Sequence, residues 1–448
     1  MSESLLSVGI DVGTSTTQLV FSRLHVANEA NAFSVPQFAI TEKEILYRSR
    51  VHFTPLLSDT QIDAEGVRRI VDAEYAHAGI EKSRVQTGAV IITGETARKE
   101  NAREVLNALS GYAGDFVVAT AGPALESVLA GKGSGAAAYS QEHRCAVVNL
   151  DIGGGTTNFA RFENGQLSDT GCLNVGGRLM KFENGRCVYL SPVLRPYFNE
   201  ASDPKEVANF LAEILEQALG LREGETYRDF ITDKLCKPAS LKSFSGGVAD
   251  LIDDAAREDF LYGDLGVLLG RAIFRSRLCQ NGFLRAKETI RATVIGAGMH
   301  TTELSGSTVF YQNIDFPLKN LPVAALSEQE EGLEDAELRA CVAEKMRELA
   351  PEDGACVLAL HGKRNPKFSE LCKLADDLAE VMGTRQELIL SVQSDTGKAL
   401  GQALHMLLPE KPILCLDGLH LPERAYLDVA APIANGQVLP VVIKTLVL

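Results

Sequence analysis

The fold of this chain is decided by one stretch, Asp151-Ile152-Gly153-Gly154-Gly155-Thr156-Thr157-Asn158. An apolar run, 146–150, comes directly before it and predicts a buried strand, and Asn164-Gly165 further along is typical of a hairpin turn. Three successive glycines at a strand end let the backbone approach a ligand closely and direct N–H groups toward it. The stretch therefore predicts a hairpin whose turn binds phosphate.

The carboxylate of Asp151 implies a metal ion at this turn. A carboxylate beside phosphate-binding amides repels the phosphate unless a divalent cation lies between them. The sequence therefore predicts that Asp151 holds Mg²⁺, while Gly153, Gly154 and Gly155 contact phosphate through their N–H groups. The hydroxyls of Thr156 and Thr157 are expected to add donors.

The same pattern occurs a second time at the N-terminus. A strand at 5–10 leads into Asp11-Val12-Gly13-Thr14-Ser15-Thr16, and a returning strand follows at 17–21. One such turn is weak evidence of a ligand, because a tight hairpin needs glycine in any case. Two copies, each beginning with Asp, predict two lobes that hold one nucleotide between them. Asp11 is then a second metal ligand, and Gly13, Thr14, Ser15 and Thr16 contact phosphate.

Bulk properties limit the class of protein. The 448 residues suffice for two to four domains, and 45% hydrophobic with 23% charged residues is an ordinary globular composition. A net charge of −15 argues against nucleic acid or an anionic membrane as the main partner. Nine scattered cysteines without a Cys-x-x-Cys pair indicate free thiols in a reducing compartment. Because we find neither a signal peptide nor an apolar span long enough to cross a bilayer, we expect a protein that is cytoplasmic or enclosed in something cytoplasmic. Homo-oligomerisation stays open.

The remaining elements divide the chain into three domains. A first lobe is expected over 1–144 and a second over 145–318, the latter with two glycine-bearing strand ends, Phe244-Ser245-Gly246-Gly247 and Arg291–Gly298. The composition changes near Leu318. Beyond it, a glutamate-rich helix at 327–349 and strands alternating with helices predict a small α/β domain over 319–448.

Together these features resemble the actin-like ATPase superfamily, which includes actin, heat-shock chaperone ATPases and sugar kinases. The resemblance implies an α/β fold with a two-lobed, ribonuclease H-like core, a nucleotide cleft between the lobes and ATP with Mg²⁺ as cofactors. Gly246-Gly247 is similar to the adenosine motif of that superfamily, and Gly296 with Gly298 is a second candidate for it.

A narrower resemblance covers the whole chain. Several segments are similar to the reactivating factors of ethanolamine ammonia-lyase (EutA), namely 5–14, 91–97, 115–119, 121–123, 172–178 and 291–298. The resemblance implies an ATP-dependent chaperone that acts on the adenosylcobalamin-dependent lyase and releases damaged cobalamin, so that intact coenzyme can enter. The lyase is then the partner, and cobalamin is contacted only through it. Association with a bacterial microcompartment stays open.

One departure from the heat-shock ATPases concerns hydrolysis. Those proteins carry a glutamate just before the proline of the connecting helix, whereas Gly122 precedes Pro123 here. Glu95 and Glu126 are the alternative candidates for orienting the attacking water, and slow hydrolysis is expected. Two other functions remain open on the same fold: a small-molecule kinase, and a filament-forming relative of actin.

Overall fold

A computed structural model describes residues 3–14, 16–30, 38–58, 60–93, 100–112, 123–254, 256–280, 282–300, 302–306, 308–350, 354–423 and 425–445. Ser15, Glu95 and the EutA-like segment at 115–119 lie outside these residues. All nine cysteines are free thiols, as expected. Within the described ranges, no helix is long and apolar enough to cross a membrane.

The first lobe is built on a sheet with the strand order β3-β2-β1-β7, and β4 pairs with β2 at one end. The first three strands are antiparallel neighbours, whereas β7 runs parallel to β1. Helix α1 begins after Asp63, whose side chain accepts a hydrogen bond from the Gly66 N–H. The elements are β1 Glu3–Val12, β2 Thr16–Asn28, β3 Phe38–Arg48, β4 His52–Phe53, β5 Leu56–Ser58, β6 Gln61–Ile62, β7 Thr87–Ile92, α1 Ala64–Ala78, α2 Ala102–Ser110, α3 Pro123–Gly133 and α4 Ala136–Glu142.

The second lobe repeats this arrangement. Its sheet has the order β10-β9-β8-β13, with β8, β9 and β10 antiparallel and β13 parallel to β8. Strand order and directions match those of the first lobe, so the predicted α/β fold with a two-lobed core is confirmed. The elements are β8 Ala146–Ile152, β9 Thr157–Glu163, β10 Gln166–Leu173, β11 Met180–Glu183, β12 Arg186–Leu190, β13 Leu241–Ser245, α5 Pro204–Ala218, α6 Gly266–Arg275, α7 Arg277–Gln280 and α8 Ala292–His300.

Two helices cross over between the lobes. Helix α3 follows the first lobe in sequence but packs on β8, β9 and β10, whereas α8 ends the second lobe and packs on β1, β2 and β7. The two helices also pack against each other at glycine positions. A Cβ added to Gly296 would lie 2.6 Å from the carbonyl carbon of Leu129, and one added to Gly133 would lie 2.8 Å from that of Ala292. Only glycine permits so close an approach.

The prediction of a strand end at Arg291–Gly298 is wrong, because this segment forms helix α8. Its glycines serve helix packing. Gly296 lies against α3, and a Cβ on Gly298 would lie 2.9 Å from the backbone nitrogen of Gly9 in β1. Protein backbone fills the space beside both glycines, so the expectation that they border adenosine is replaced by a structural role.

The last domain contains an eight-stranded sheet of order β14-β21-β20-β16-β17-β18-β19-β15. Strands β16 to β19 are parallel, and antiparallel strands extend the sheet on both sides. Helices α10, α11 and α12 bury their apolar residues on one face of the parallel strands. The elements are β14 Thr302–Leu304, β15 Phe310–Gln312, β16 Leu318–Ala325, β17 Val357–Leu360, β18 Leu388–Val392, β19 Ile413–Asp417, β20 Ala425–Val429, β21 Pro440–Thr445, α9 Glu328–Glu331, α10 Asp335–Leu349, α11 Phe368–Met382 and α12 Gly397–Leu407.

This sheet departs from the sequence prediction in two respects. Its first strand begins at Thr302, well before the expected domain start at 319, since β14 and β15 pair with late strands. The glutamate-rich helix expected at 327–349 is two helices that are separated around Gly332.

Candidate functional site

The two acidic turns have the same backbone geometry. Asp11 is the second-last residue of β1 and lies opposite Gln18, while Asp151 is the second-last residue of β8 and lies opposite Asn158. Each turn is closed in the same way: the Gly13 N–H donates to the Thr16 carbonyl at 2.9 Å, and the Gly153 N–H donates to the Thr156 carbonyl at 2.9 Å. The repetition seen in the sequence is thus a repetition of structure.

Both carboxylates are buried and influence each other. Asp11 is 8% exposed and Asp151 is 5% exposed. Burial raises the pKa of Asp11 to about 7, and the negative charge of Asp151 contributes to that rise. Burial also raises the pKa of Asp151 to about 6. Two buried carboxylates within range of mutual repulsion favour a cation between them, and oxygen ligands are those that Mg²⁺ prefers.

Hydroxyl groups hold the two carboxylates in equivalent ways. The Thr93 hydroxyl donates to Asp11 Oδ1 at 2.9 Å, and the Ser245 hydroxyl donates to Asp151 Oδ1 at 2.6 Å. Thr93 directly follows β7 and Ser245 ends β13, and these two strands run parallel to β1 and β8. On α8, Thr293 lies 3.5 Å from Asp151 Oδ2. The crossover helix α8 therefore reaches the carboxylate of Asp151.

These three hydroxyl groups were missed by the sequence interpretation. The sequence interpretation gives Thr93 no place in the site and includes Ser245 only in the segment that carries the adenosine motif. The available signal was a hydroxyl residue at the carboxyl end of the strand that runs parallel to each aspartate strand. Thr293 carried no such signal, because its segment was interpreted as a strand.

A second turn supports the glycine turn of the second lobe. The Gly177 N–H donates to the Gly153 carbonyl at 3.0 Å, and the Arg178 N–H donates to the Gly154 carbonyl at 2.6 Å. A Cβ on Gly176 would lie 2.7 Å from the Gly155 nitrogen, so only glycine fits there. Residues 153–156 are half-buried, which leaves this backbone accessible to a ligand.

Thr157 has a structural role instead of the expected phosphate contact. Its hydroxyl is buried and donates to the Val175 carbonyl at 2.7 Å, which ties the supporting turn to β9. In the first lobe, the equivalent Thr17 hydroxyl lies 3.1 Å from that of Thr54, which donates to the Gly13 carbonyl at 2.7 Å. Thr14 and Thr16 are half-buried on the turn itself, as a phosphate contact requires.

The glycine pair after β13 lies beside the second acidic turn. Gly246 has a φ of 85°, and an added Cβ would lie 2.7 Å from the carbonyl carbon of Ile152, the residue after Asp151. Gly247 is exposed, and the nearest atom to an added Cβ is 3.9 Å away on Ile290. Gly247 therefore borders open space next to the turn, unlike Gly296 and Gly298.

Comparisons with known proteins agree with this geometry. The family model described as ethanolamine utilisation protein EutA matches residues 3–448. The chain belongs to the EutA family. It is 36% identical to the ethanolamine ammonia-lyase reactivase EutA of Salmonella typhimurium strain LT2, with 99% of this chain and 98% of that protein covered. The protein of the same description from Escherichia coli K12 gives the same identity and coverage. The resemblance to EutA noted in the sequence is thereby confirmed.

Two solved structures each match about two thirds of this EutA family chain. A Ppx/GppA family member from Aquifex aeolicus matches with a TM-score of 0.41 and 15% identity, over 66% of this chain and 97% of that one. The ethanolamine utilisation protein EutJ from Carboxydothermus hydrogenoformans matches with a TM-score of 0.34 and 17% identity, over 65% of this chain and 88% of that one.

The hydrolytic residue of this EutA family member stays a prediction. Glu126 lies in the first turn of α3 and is 9% exposed. Glu95 lies outside the described residues. Since α3 is one of the two crossover helices, Glu126 belongs to an element that connects the lobes.

Proposed function

We propose that this chain is an ATP-dependent reactivating chaperone for ethanolamine ammonia-lyase, which releases damaged cobalamin from the lyase so that intact adenosylcobalamin can bind. The observation that carries the proposal is the pair of buried carboxylates, Asp11 and Asp151, on equivalent turns of two lobes. The reactivase relatives, which match over nearly the full length, support this function over a small-molecule kinase or a filament-forming protein.

In the proposed nucleotide site, each group has a defined task. Asp11 and Asp151 would hold Mg²⁺, which shields the phosphate charge from the carboxylates. Amides and hydroxyls of the two turns would bind the phosphates, and Gly246-Gly247 would border adenosine. The residues proposed for phosphate are Gly13, Thr14, Ser15, Thr16, Gly153, Gly154, Gly155 and Thr156.

The proposed work of the nucleotide is to change the angle between the lobes. Phosphate contacts from both turns favour a closed arrangement, and loss of the γ-phosphate removes part of that preference. The lobes are connected by α3 and α8, whose contact rests on backbone packing at Gly133 and Gly296. If the lyase binds one arrangement of the lobes more tightly than the other, a change of nucleotide would change how tightly the lyase is bound.

Reactivation of inhibited lyase tests the proposal. The lyase is inactivated with cyanocobalamin and then incubated with adenosylcobalamin, with and without Mg-ATP and this protein, and ammonia release is measured. Recovery is expected only with the protein and Mg-ATP together. Asp11→Asn and Asp151→Asn should abolish it. The matched control Asp72→Asn, which removes a surface ion pair with Lys82, should leave it intact.

Two outcomes would refute the proposal. If lyase activity did not recover with the wild-type protein under any condition, the proposed reactivase function would be excluded. Full recovery with the Asp11→Asn and Asp151→Asn variants would instead show that reactivation does not depend on the two carboxylates.

A further inference from the structure

The last domain contains a cavity of about 410 Å³ at the carboxyl edge of its parallel strands. Ala325 ends β16, His361 follows β17 and Gln393 follows β18, and all three line the cavity. His420, shortly after β19, lines it as well. In open α/β sheets this edge is where ligands bind, and the volume lies within the range of small-molecule sites.

The charged groups of the cavity compensate each other, with carboxylates in excess. Lys345 lies 2.9 Å from Glu330 and donates to the Ala325 carbonyl at 2.9 Å, and Glu423 lies 3.8 Å from the same amine. The cation thus already faces two carboxylates. An incoming anion would meet this excess negative charge, whereas an uncharged ligand would not.

One histidine of the cavity presents a hydrogen-bond acceptor. Nδ1 of His361 lies 2.9 Å from Glu331 Oε1, and the other oxygen of Glu331 accepts from the Gly362 N–H at 2.9 Å. A carboxylate accepts hydrogen bonds, so Nδ1 carries the hydrogen. In the neutral ring, Nε2 of His361 therefore has a free lone pair for a ligand.

The other histidine presents a donor. The side-chain amide nitrogen of Gln393 lies 2.8 Å from Nδ1 of His420. An amide NH₂ group donates, so Nδ1 of His420 accepts and the ring hydrogen is on Nε2. His420 is exposed at the rim, where this N–H can reach a ligand.

We propose that this cavity binds an uncharged organic ligand that carries a donor and an acceptor together, as a primary carboxamide does. The amide N–H would donate to Nε2 of His361, and the amide oxygen would accept from Nε2–H of His420. Apolar walls that include Leu326, Leu360 and Leu421 would cover the rest of the molecule. Among the described residues, no group of three or more metal-ligating side chains is placed to hold a metal ion, so the donor set suits an organic molecule. The site is independent of the nucleotide turns and of the proposed reactivation.

Nicotinamide and nicotinate form a matched pair of probes, because they differ only in that nicotinamide carries an amide where nicotinate carries a carboxylate. Binding to the full-length protein is measured by saturation-transfer NMR and by competition titration. We expect saturable binding of nicotinamide, and binding of nicotinate weaker by about 10-fold or more, since the carboxylate lacks the donor and adds charge.

Three variants locate the binding. His361→Ala and His420→Ala should each weaken nicotinamide binding about 5- to 10-fold, as expected for one lost hydrogen bond. His143→Ala removes a histidine stacked on Tyr139 at the end of α4, outside the last domain, and should change nothing. Because His420 is exposed, its removal leaves the fold intact. Equal binding of the two probes, or unchanged nicotinamide binding in both cavity variants, would overturn the proposal.

Discussion

Because the crossover helices are in close contact at Gly296, we expect Gly296→Ala to destabilise the protein. The new methyl group would lie 2.6 Å from the carbonyl carbon of Leu129, where carbon atoms need about 3.5 Å. The obstacle is backbone, which cannot rotate away as a side chain does, so α3 and α8 must separate by about 1 Å. Overpacking a core costs about 1–3 kcal/mol, and we expect the upper end of that range.

Gly111→Ala is the matched control for this experiment. Gly111 ends α2 with a φ of −67°, and an added Cβ meets nothing within 4 Å. This substitution should leave the free energy of unfolding unchanged or raise it by up to about 1 kcal/mol, because alanine lowers the conformational entropy of the unfolded chain. Thermal and urea unfolding of both variants and the wild type measure the difference. The first unfolding transition of each protein is compared, because a chain of three domains need not unfold in one step.

Gly296→Ala should also impair nucleotide binding. Helix α8 carries Thr293 against Asp151 and packs on β1, which carries Asp11, so displacement of α8 disturbs both carboxylates. We expect the Kd for Mg-ADP, measured by calorimetry, to rise about 10-fold, which corresponds to roughly 1.4 kcal/mol. If Gly296→Ala matched Gly111→Ala in both stability and ADP affinity, the packing argument would be refuted.

Three further predictions concern single side chains. Thr93→Val and Ser245→Ala each remove a hydrogen bond to a buried carboxylate, which is worth about 1.5–3 kcal/mol, so each should raise the Kd for Mg-ADP about 10-fold or more in calorimetry; an unchanged Kd would count against the site. His300 has its pKa lowered to about 3, first by burial and then by two nearby lysines, against an ordinary 6.5. Stability therefore falls as the pH drops below 6.5, by about 2 kcal/mol between pH 6.5 and 5, and His300→Gln should remove this loss in urea titrations; a parallel loss in the variant would contradict it. If Glu126 orients the attacking water, Glu126→Gln should lower ATP turnover about 100-fold while leaving Mg-ADP affinity unchanged, and undiminished turnover would exclude it.

The parts of the site that the sequence predicts correctly are local. An aspartate at a strand end, a glycine turn and a returning strand lie within about ten residues, and each feature follows from backbone geometry over that distance. The starts of α1 after Asp63 and of α5 after Asp203 depend on equally local contacts, since a capping side chain bonds an N–H two or three residues away.

The parts that were missed depend on contacts between distant segments. Thr93 lies 82 positions from Asp11, and Ser245 lies 94 positions from Asp151. Strands β14 and β15 precede the predicted boundary at 319, yet they pair with β21 and β19. Neither the hydroxyl contacts nor the extent of the last sheet can be inferred without knowing which strands become neighbours.

Helix α8 shows how tertiary packing overrides local preference. Its sequence contains the β-branched run Thr293-Val294-Ile295 together with Gly296 and Gly298, and both residue classes are poor helix formers. Viewed alone, the segment favours a strand. In the folded protein the glycines are required by the close approach of α3 and β1, and the apolar residues are buried on all sides. The residues that weaken the helix locally are thus those that allow it to pack between the two lobes.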